Sequence, residues 1–137
     1  MIERNDMFTR LLDVCPSFRP TWEEFVAEWK DEPDLPGYLA LSDLARHLIA
    51  MLERGETEGL RAVFRVVEEW HLEGEPYVKE AATIGLLEDL QNTNLHKDNT
   101  LPDDFIEFLL PETKFWWFKV VDFWEKGKPI VDDRPKH

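Results

Sequence analysis

The sequence predicts an all-α fold, a compact bundle of about six or seven helices built from antiparallel hairpins. Segments with helical spacing of apolar residues meet at very short turns around Gly55 and Gly74, and such turns make consecutive helices antiparallel neighbours. The stretch Ala81–Leu87 carries no charge, so a helix containing it is expected to be packed on nearly all sides. The hairpins resemble those of HEAT proteins, but the chain has no internal repeat, so a compact bundle is at least as well supported.

The N-terminal part predicts two short helices. Residues 3–14 form the first, and Pro16 ends it because proline cannot continue a helix. The second helix is predicted to start at Trp22. Thr21 then serves as its N-cap, and Glu24, three residues later, completes a capping-box pattern.

The first long hairpin is predicted from residues 38–54 and 56–73. Leucines at helical spacing give the first of these helices one apolar face, and Gly55 suits the position just after its end. The second helix has acidic residues in its first turn, which the helix dipole favours, and it ends near Gly74.

Residues 76–92 predict the central helix of the bundle. Pro76 suits a first helical turn, where its missing N–H leaves no bond unmade. A glycine inside a helix costs about 1 kcal/mol relative to alanine, so Gly85 indicates a close approach by another helix. Glu88 directly follows the apolar run. The residues expected to form this centre are Ala81, Ile84, Gly85, Leu87 and Glu88, with all but Glu88 almost fully buried.

The C-terminal third predicts a polar loop, a short helix and a last long helix. The loop covers residues 93–104, and its last two residues, Asp103 and Asp104, begin a short helix that carries the apolar residues up to Leu110. The last helix is predicted over residues 111–127. A single helical domain is therefore predicted over residues 1–127. Residues 128–137 form a polar tail that is expected to be mobile at its end.

The last helix contains four consecutive aromatic residues, FWWF at 115–118. Four consecutive residues point to every side of a helix, so most of them are expected in the core and at least one at the surface. Trp117 and Phe118 are the candidates for an exposed, partner-binding aromatic side chain.

The charge is strongly acidic and unevenly distributed. The formal net charge is −13, with −10 in residues 53–112 and +2 in residues 113–137. Such a field disfavours nucleic acids and anionic membranes as partners, and it favours a basic protein or simply solubility. The acidic side chains that we expect to contact a partner are Glu56, Glu58, Glu68, Glu69 and Glu73.

Cysteine content and hydropathy indicate a cytoplasmic protein. Cys15 is the single cysteine, so the chain forms no internal disulfide. The N-terminus is charged where a signal peptide needs an apolar run, and no window approaches the ~20 apolar residues of a membrane span.

One weak metal-binding pattern is present. Glu68 and His71 form Glu-x-x-His, which places both side chains on one helix face, and Glu88 lies beside the buried run. A di-iron bundle needs a second such motif and further carboxylates, so solvated side chains are the better explanation. Adjacent Glu88 and Asp89 point about 100° apart on a helix and cannot share an acid–base site. The sequence therefore predicts no metal, no cofactor and no catalytic residue.

The segment ATIGLLEDLQN, with Asp13–Pro16, the Trp22–Trp29 helix and Pro111–Trp117, resembles a family of small, uncharacterised bacterial helical proteins. The resemblance covers nearly the whole chain and implies a likeness to the acidic immunity proteins found beside bacterial toxins. The leading hypothesis is a cytoplasmic binding protein that masks a toxin, such as a basic nuclease. The alternatives are a helical enzyme or metal protein using Glu68, His71 and Glu88, and a helical scaffold or adaptor. The oligomeric state stays open.

Overall fold

The computed structural model describes residues 1–97 and 99–135, which form an all-α fold, as predicted. Within these residues there are seven α-helices and no β-strand. The helices are α1 (Met7–Val14), α2 (Arg19–Glu28), α3 (Gly37–Glu53), α4 (Thr57–Glu73), α5 (Pro76–Glu80), α6 (Glu88–Leu90) and α7 (Pro111–Lys126). Three short 3-10 helices cover Pro16–Phe18, Thr93–Leu95 and Pro102–Phe108. None of the described helices has both the length and the apolar character needed to cross a bilayer.

A π-helix joins α5 to α6 and makes residues 76–90 one continuous helix, here called the central helix. The π-helix spans Ala81–Leu87, the charge-free run of the sequence. The amide of Glu88 donates to the carbonyl of Thr83, five residues back, which is the bonding pattern of a π-helix. The i→i+5 pattern puts more residues into each turn than an α-helix, so side-chain directions in this segment differ from those of an α-helix.

The central helix packs against α3, α4 and α7. At Gly85 it approaches α3 so closely that an added Cβ would lie 2.9 Å from a Leu41 methyl group and 3.1 Å from the Tyr38 ring. The predicted close approach at Gly85 is confirmed. Ala81 and Leu87 are fully buried, but the expected burial of Ile84 is wrong. Ile84 is part-exposed because it lines a surface cavity described below.

The hairpin of α3 and α4 supplies much of the core. Leu41, Leu44 and Leu48 of α3 are fully buried, as are many of the apolar residues of α4. Gly55 follows α3 with a φ of 73°, a conformation that glycine adopts without strain. The short turn then returns the chain antiparallel to α3.

The N-terminal segment is fixed to the end of α4. The amide of Ile2 donates to the Glu73 carbonyl at 2.7 Å, and the amide of Glu75 donates to the Ile2 carbonyl at 2.8 Å.

The predicted start of α2 at Trp22, with Thr21 as N-cap, is wrong. A 3-10 turn leads directly into α2 at Arg19, so Thr21 already lies inside the helix.

Helix α7 buries one face and carries the C-terminal segment, residues 128–135, on another. Trp117 is fully buried, so the prediction that it could be an exposed contact is wrong, whereas Phe118 is exposed.

Asp133 of the C-terminal segment bonds to Lys119 at 2.7 Å, and Ile130 packs against the core. The end of the tail that was expected to be mobile, residues 136 and 137, lies outside the described residues.

Candidate functional site

His71 lies where α4, the central helix and α7 meet. Its Nδ1 is 3.0 Å from the Val67 carbonyl and 3.1 Å from Thr113 Oγ1, and its Nε2 is 3.0 Å from Thr83 Oγ1. A carbonyl oxygen only accepts, so Nδ1 carries the proton and donates to Val67, while Nε2 accepts a hydrogen bond from the Thr83 hydroxyl. The imidazole therefore joins three helices through one buried side chain.

The environment keeps this imidazole neutral. Burial lowers the pKa of His71 to about 4 from the usual 6.5. The hydrogen bond to Val67 and the charges of Glu68 and Glu112 raise the pKa, but burial outweighs them. At neutral pH His71 thus contributes hydrogen bonds and no charge.

Glu68 caps the N-terminus of α7. Its carboxylate accepts from the Glu112 amide at 3.0 Å, the Thr113 amide at 2.8 Å and the Thr113 hydroxyl at 2.8 Å. These amides belong to the first turn of α7, where backbone donors lack helical partners and the helix dipole favours a negative charge. Glu68 is occupied inside the protein, so its predicted role as a partner contact does not fit its position.

The three residues of the metal-binding alternative do not form one site. Glu68 bonds to α7, both nitrogens of His71 have partners within the protein, and Glu88 follows the π-helix at the start of α6. Across residues 1–97 and 99–135, no three histidine, cysteine or acidic side chains are arranged to hold a metal ion.

Glu88 is part-exposed and lies near α3. Burial raises the pKa of Glu88, and the neighbouring charge of Asp89 adds to this effect. Burial likewise raises the pKa of Tyr38 to about 12, with Glu80 and Glu88 as further causes. Asp89 accepts a hydrogen bond from the Ser42 hydroxyl at 2.7 Å. The Asp89 carboxylate is therefore bonded to α3.

A cavity of about 390 Å³ opens beside His71. Its apolar walls are Pro76, Ile84, Trp116 and Ile130. Its polar lining is His71, Lys79, Glu80, Thr83, Glu112 and Asp132. The volume falls within the range of about 300–1,000 Å³ that is typical of small-molecule sites. Two of its residues come from the π-helix, a type of distortion that often occurs at functional sites.

The C-terminal segment forms one side of this cavity and is held there by Arg134. The guanidinium donates to both oxygens of Glu112, at 2.8 and 2.7 Å, and Arg134 Nε donates to Asp132 at 2.9 Å. The central carbon of the guanidinium, Cζ, lies 3.8 Å from the centre of the Phe115 ring. The bonds to Arg134 lower the pKa of Glu112 and hold that of Asp132 at about 2, so both carboxylates are charged at neutral pH.

The remaining acidic candidates lie at or near the surface of α4. Glu56 pairs with Arg54, and Glu69 pairs with Arg10 at 2.7 Å, so a partner would have to compete for both. Glu58, in the first turn of α4, and Glu73, at its end, are exposed.

Large exposed aromatic side chains lie along α7. Phe118 is 46% exposed, beside a shallow groove that also includes two lysines. Trp124 is 55% exposed and packs edge-to-face with Phe123 at 5.6 Å between ring centres. A small groove of about 180 Å³ beside Trp124 includes Asp103 and Glu125. Sequence reasoning missed Trp124, although its position near the end of an amphipathic helix was a usable signal.

Comparison with protein families gives one assignment. A model described as a domain of unknown function, DUF7674, matches residues 8–125. The chain belongs to the DUF7674 family. The match spans the whole bundle from α1 almost to the end of α7, and thus includes His71, Glu68 and most of the cavity lining. No curated protein matches the chain. No solved structure matches it either.

Proposed function

We propose that this DUF7674 protein is a cytoplasmic protein-binding module that recognises a partner with a basic surface, in the manner of an immunity protein that masks a toxin. The observation that carries the proposal is Trp124, which is 55% exposed next to the acidic side chains Asp103 and Glu125. A large exposed tryptophan flanked by carboxylates suits the stacking of a lysine or arginine side chain from a partner.

The overall charge supports the same class of partner. A net charge of −13 gives the protein a long-range field that attracts basic surfaces and repels nucleic acids. Exposed acidic residues such as Glu58 and Glu73 contribute to this field. Charges of this kind mainly increase the rate of association, while buried aromatic contacts slow dissociation.

Cysteine usage supports a cytoplasmic location. Cys15 is the single cysteine and its thiol is buried. A chain of this size with a large aromatic core has no need of the disulfides that small secreted domains use. The immunity-type role rests on the resemblance of the sequence to a family of small bacterial helical proteins, which implies a likeness to acidic immunity proteins.

Binding kinetics with the protein encoded by the neighbouring gene test the proposal. We expect association to slow markedly as salt rises, because interactions between exposed charges are screened over about 8 Å at physiological ionic strength. The double variant Glu58→Lys/Glu73→Lys should lower the association rate about tenfold. Trp124→Ala should instead raise the dissociation rate.

Two matched controls separate the surfaces. Glu23→Lys/Glu28→Lys makes the same change in total charge at two exposed sites of α2, and it should slow association less than the α4 pair does. Phe118→Ala removes an exposed aromatic ring from a different side of α7 and should leave dissociation unchanged. Salt-independent binding would contradict an electrostatic attraction, and equal effects of the two charge pairs would contradict a contact surface on α4. A larger effect of Phe118→Ala than of Trp124→Ala would contradict the choice of anchor.

A further inference from the structure

The cavity beside His71 is a built concave site. Four separate parts of the chain contribute to it, namely α4, the central helix, α7 and the C-terminal segment. Its apolar walls include Trp116 and two isoleucines, Ile84 and Ile130. Ile84 belongs to the charge-free run of the sequence, and it is part-exposed and lines this cavity.

The charges around the cavity favour a cation. Three carboxylates line it, those of Glu80, Glu112 and Asp132, against the single ammonium group of Lys79. Arg134 bonds to Glu112 and Asp132 from the side of the Phe115 ring. The two positive charges of Lys79 and Arg134 balance two of the three carboxylates, so one negative charge is left in excess. His71 does not offset this excess, because its burial keeps it neutral.

The polar groups at the buried end of the cavity already have partners. Nε2 of His71 accepts from the Thr83 hydroxyl, so this end offers no strong donor to an anion. The walls next to it are apolar, and the indole of Trp116 favours a positive charge near its face. A ligand with an apolar body and one positive charge satisfies both parts of the cavity.

We propose that this cavity binds a small organic cation, a protonated amine carried on an apolar or aromatic body. The amine pairs with Glu80, the one of the three carboxylates that Arg134 does not bond, while Glu112 and Asp132 add negative charge beside it. The apolar body packs between Trp116, Ile84 and Ile130. Arg134 holds the C-terminal segment as one wall of the site. The site is independent of the proposed protein-binding surface at Trp124, which lies in a different groove.

Three probes of nearly the same shape test the ligand class. They are 2-phenylethylamine, 2-phenylethanol and 3-phenylpropanoate, which are a cation, a neutral molecule and an anion at neutral pH. Titration of the full chain, followed by calorimetry and by amide chemical shifts, gives their affinities. We expect the amine to bind roughly tenfold more tightly than the alcohol and the anion to bind weakest, because cation–π contacts and the carboxylates both favour positive charge. The largest shifts should fall on Lys79, Thr83 and Ile84.

Variants test the location. Ile84→Trp fills the cavity from the central helix, and Ile130→Trp fills it from the C-terminal segment, so each should weaken amine binding roughly tenfold or more. Neither position belongs to the fully buried core, and a folded state of each variant is checked by its amide spectrum. Glu80→Gln should lower the affinity for the amine but leave that for the alcohol unchanged. Glu58→Gln is the matched control, an exposed carboxylate that does not line the cavity, and should change neither affinity.

The outcomes decide the proposal in both directions. Preference for the amine together with loss of binding in both tryptophan variants supports it. Equal binding of the three probes, no binding of the amine, or unchanged binding in a folded Ile84→Trp or Ile130→Trp variant would each overturn it. A salt-dependent interaction that Glu58→Gln weakens as much as Glu80→Gln would show general attraction to the acidic surface, and would also overturn it.

Discussion

The buried imidazole of His71 makes the stability of the fold depend on pH in a predictable way. Its pKa is about 4 in the folded state, against 6.5 for an unperturbed histidine. The folded pKa is lowered, so the unfolded chain binds the proton more readily. The stability that His71 contributes is therefore fully present above pH 6.5 and is lost as the pH falls from 6.5 towards 4.

The size of the effect follows from linkage. Each additional proton bound by the unfolded state changes the free energy of unfolding by about 1.4 kcal/mol per pH unit. Between pH 7 and pH 5 the unfolded histidine gains its proton almost completely and the folded one hardly at all. His71 alone should thus remove about 2 kcal/mol of stability over this interval. Glu112 and Asp132 have lowered pKa values, so the stability that they contribute is lost only at lower pH.

Urea unfolding at several pH values, with wild type and His71→Asn, tests this reasoning. Asparagine can donate to the Val67 carbonyl but does not titrate, so the variant should be less stable at pH 7 and should show a much flatter fall between pH 7 and 5. Glu88, whose raised pKa acts with the opposite sign, is present in both proteins and cancels in the comparison. His47→Asn is the control. Burial also lowers the pKa of part-exposed His47, but the His47→Asn variant should keep most of the fall in the free energy of unfolding between pH 7 and 5. Equal slopes in wild type and His71→Asn would refute the assignment.

Two further stability predictions follow from close contacts of the central helix and α7. Gly85→Leu should destabilise the protein by roughly 1–3 kcal/mol, measured by thermal or urea unfolding, because its side chain would overlap Leu41 and Tyr38; an unchanged midpoint would contradict the close packing. Glu68→Gln removes the charge that caps α7 and should lower the free energy of unfolding by about 0.5–2 kcal/mol. The control Glu58→Gln, at the exposed first turn of α4, should lower it by less than about 0.5 kcal/mol. Similar losses in both variants would contradict the capping role of Glu68.

Helix periodicity and composition were sufficient to predict the fold class and the central position of residues 76–92. The glycine at position 85 correctly indicated a close helix contact, because glycine inside a helix is unfavourable without such a reason. The burial of Trp117 was not predicted. Four adjacent aromatic residues cover all sides of a helix, so their sequence alone does not tell which of them faces the core.

The candidate site was largely beyond prediction for three physical reasons. The π-helix changes hydrogen-bond register without changing composition, so the apolar run gave no sign that Ile84 would face open space. Glu68 and His71 were recognised as a pair on one helix face, but their partner Thr113 lies 45 residues from Glu68 along the chain. Arg134 folds back onto Glu112 across 22 residues, a contact that local pattern rules do not address.

The aromatic residues of α7 divide by position into three roles, which keeps the two proposals separable. Trp117 is fully buried and belongs to the core. Trp116 lines the cavity near His71, where its indole N–H donates to Glu112 at 3.3 Å. Trp124, two turns further along, lies in the surface groove with Asp103 and Glu125. The first turn of α7 is fixed from both sides by Glu68 and Arg134, while its last turns carry exposed rings. A rigid start suits a preformed ligand cavity, and an exposed end suits a partner contact, so loss of one function by substitution should leave the other intact.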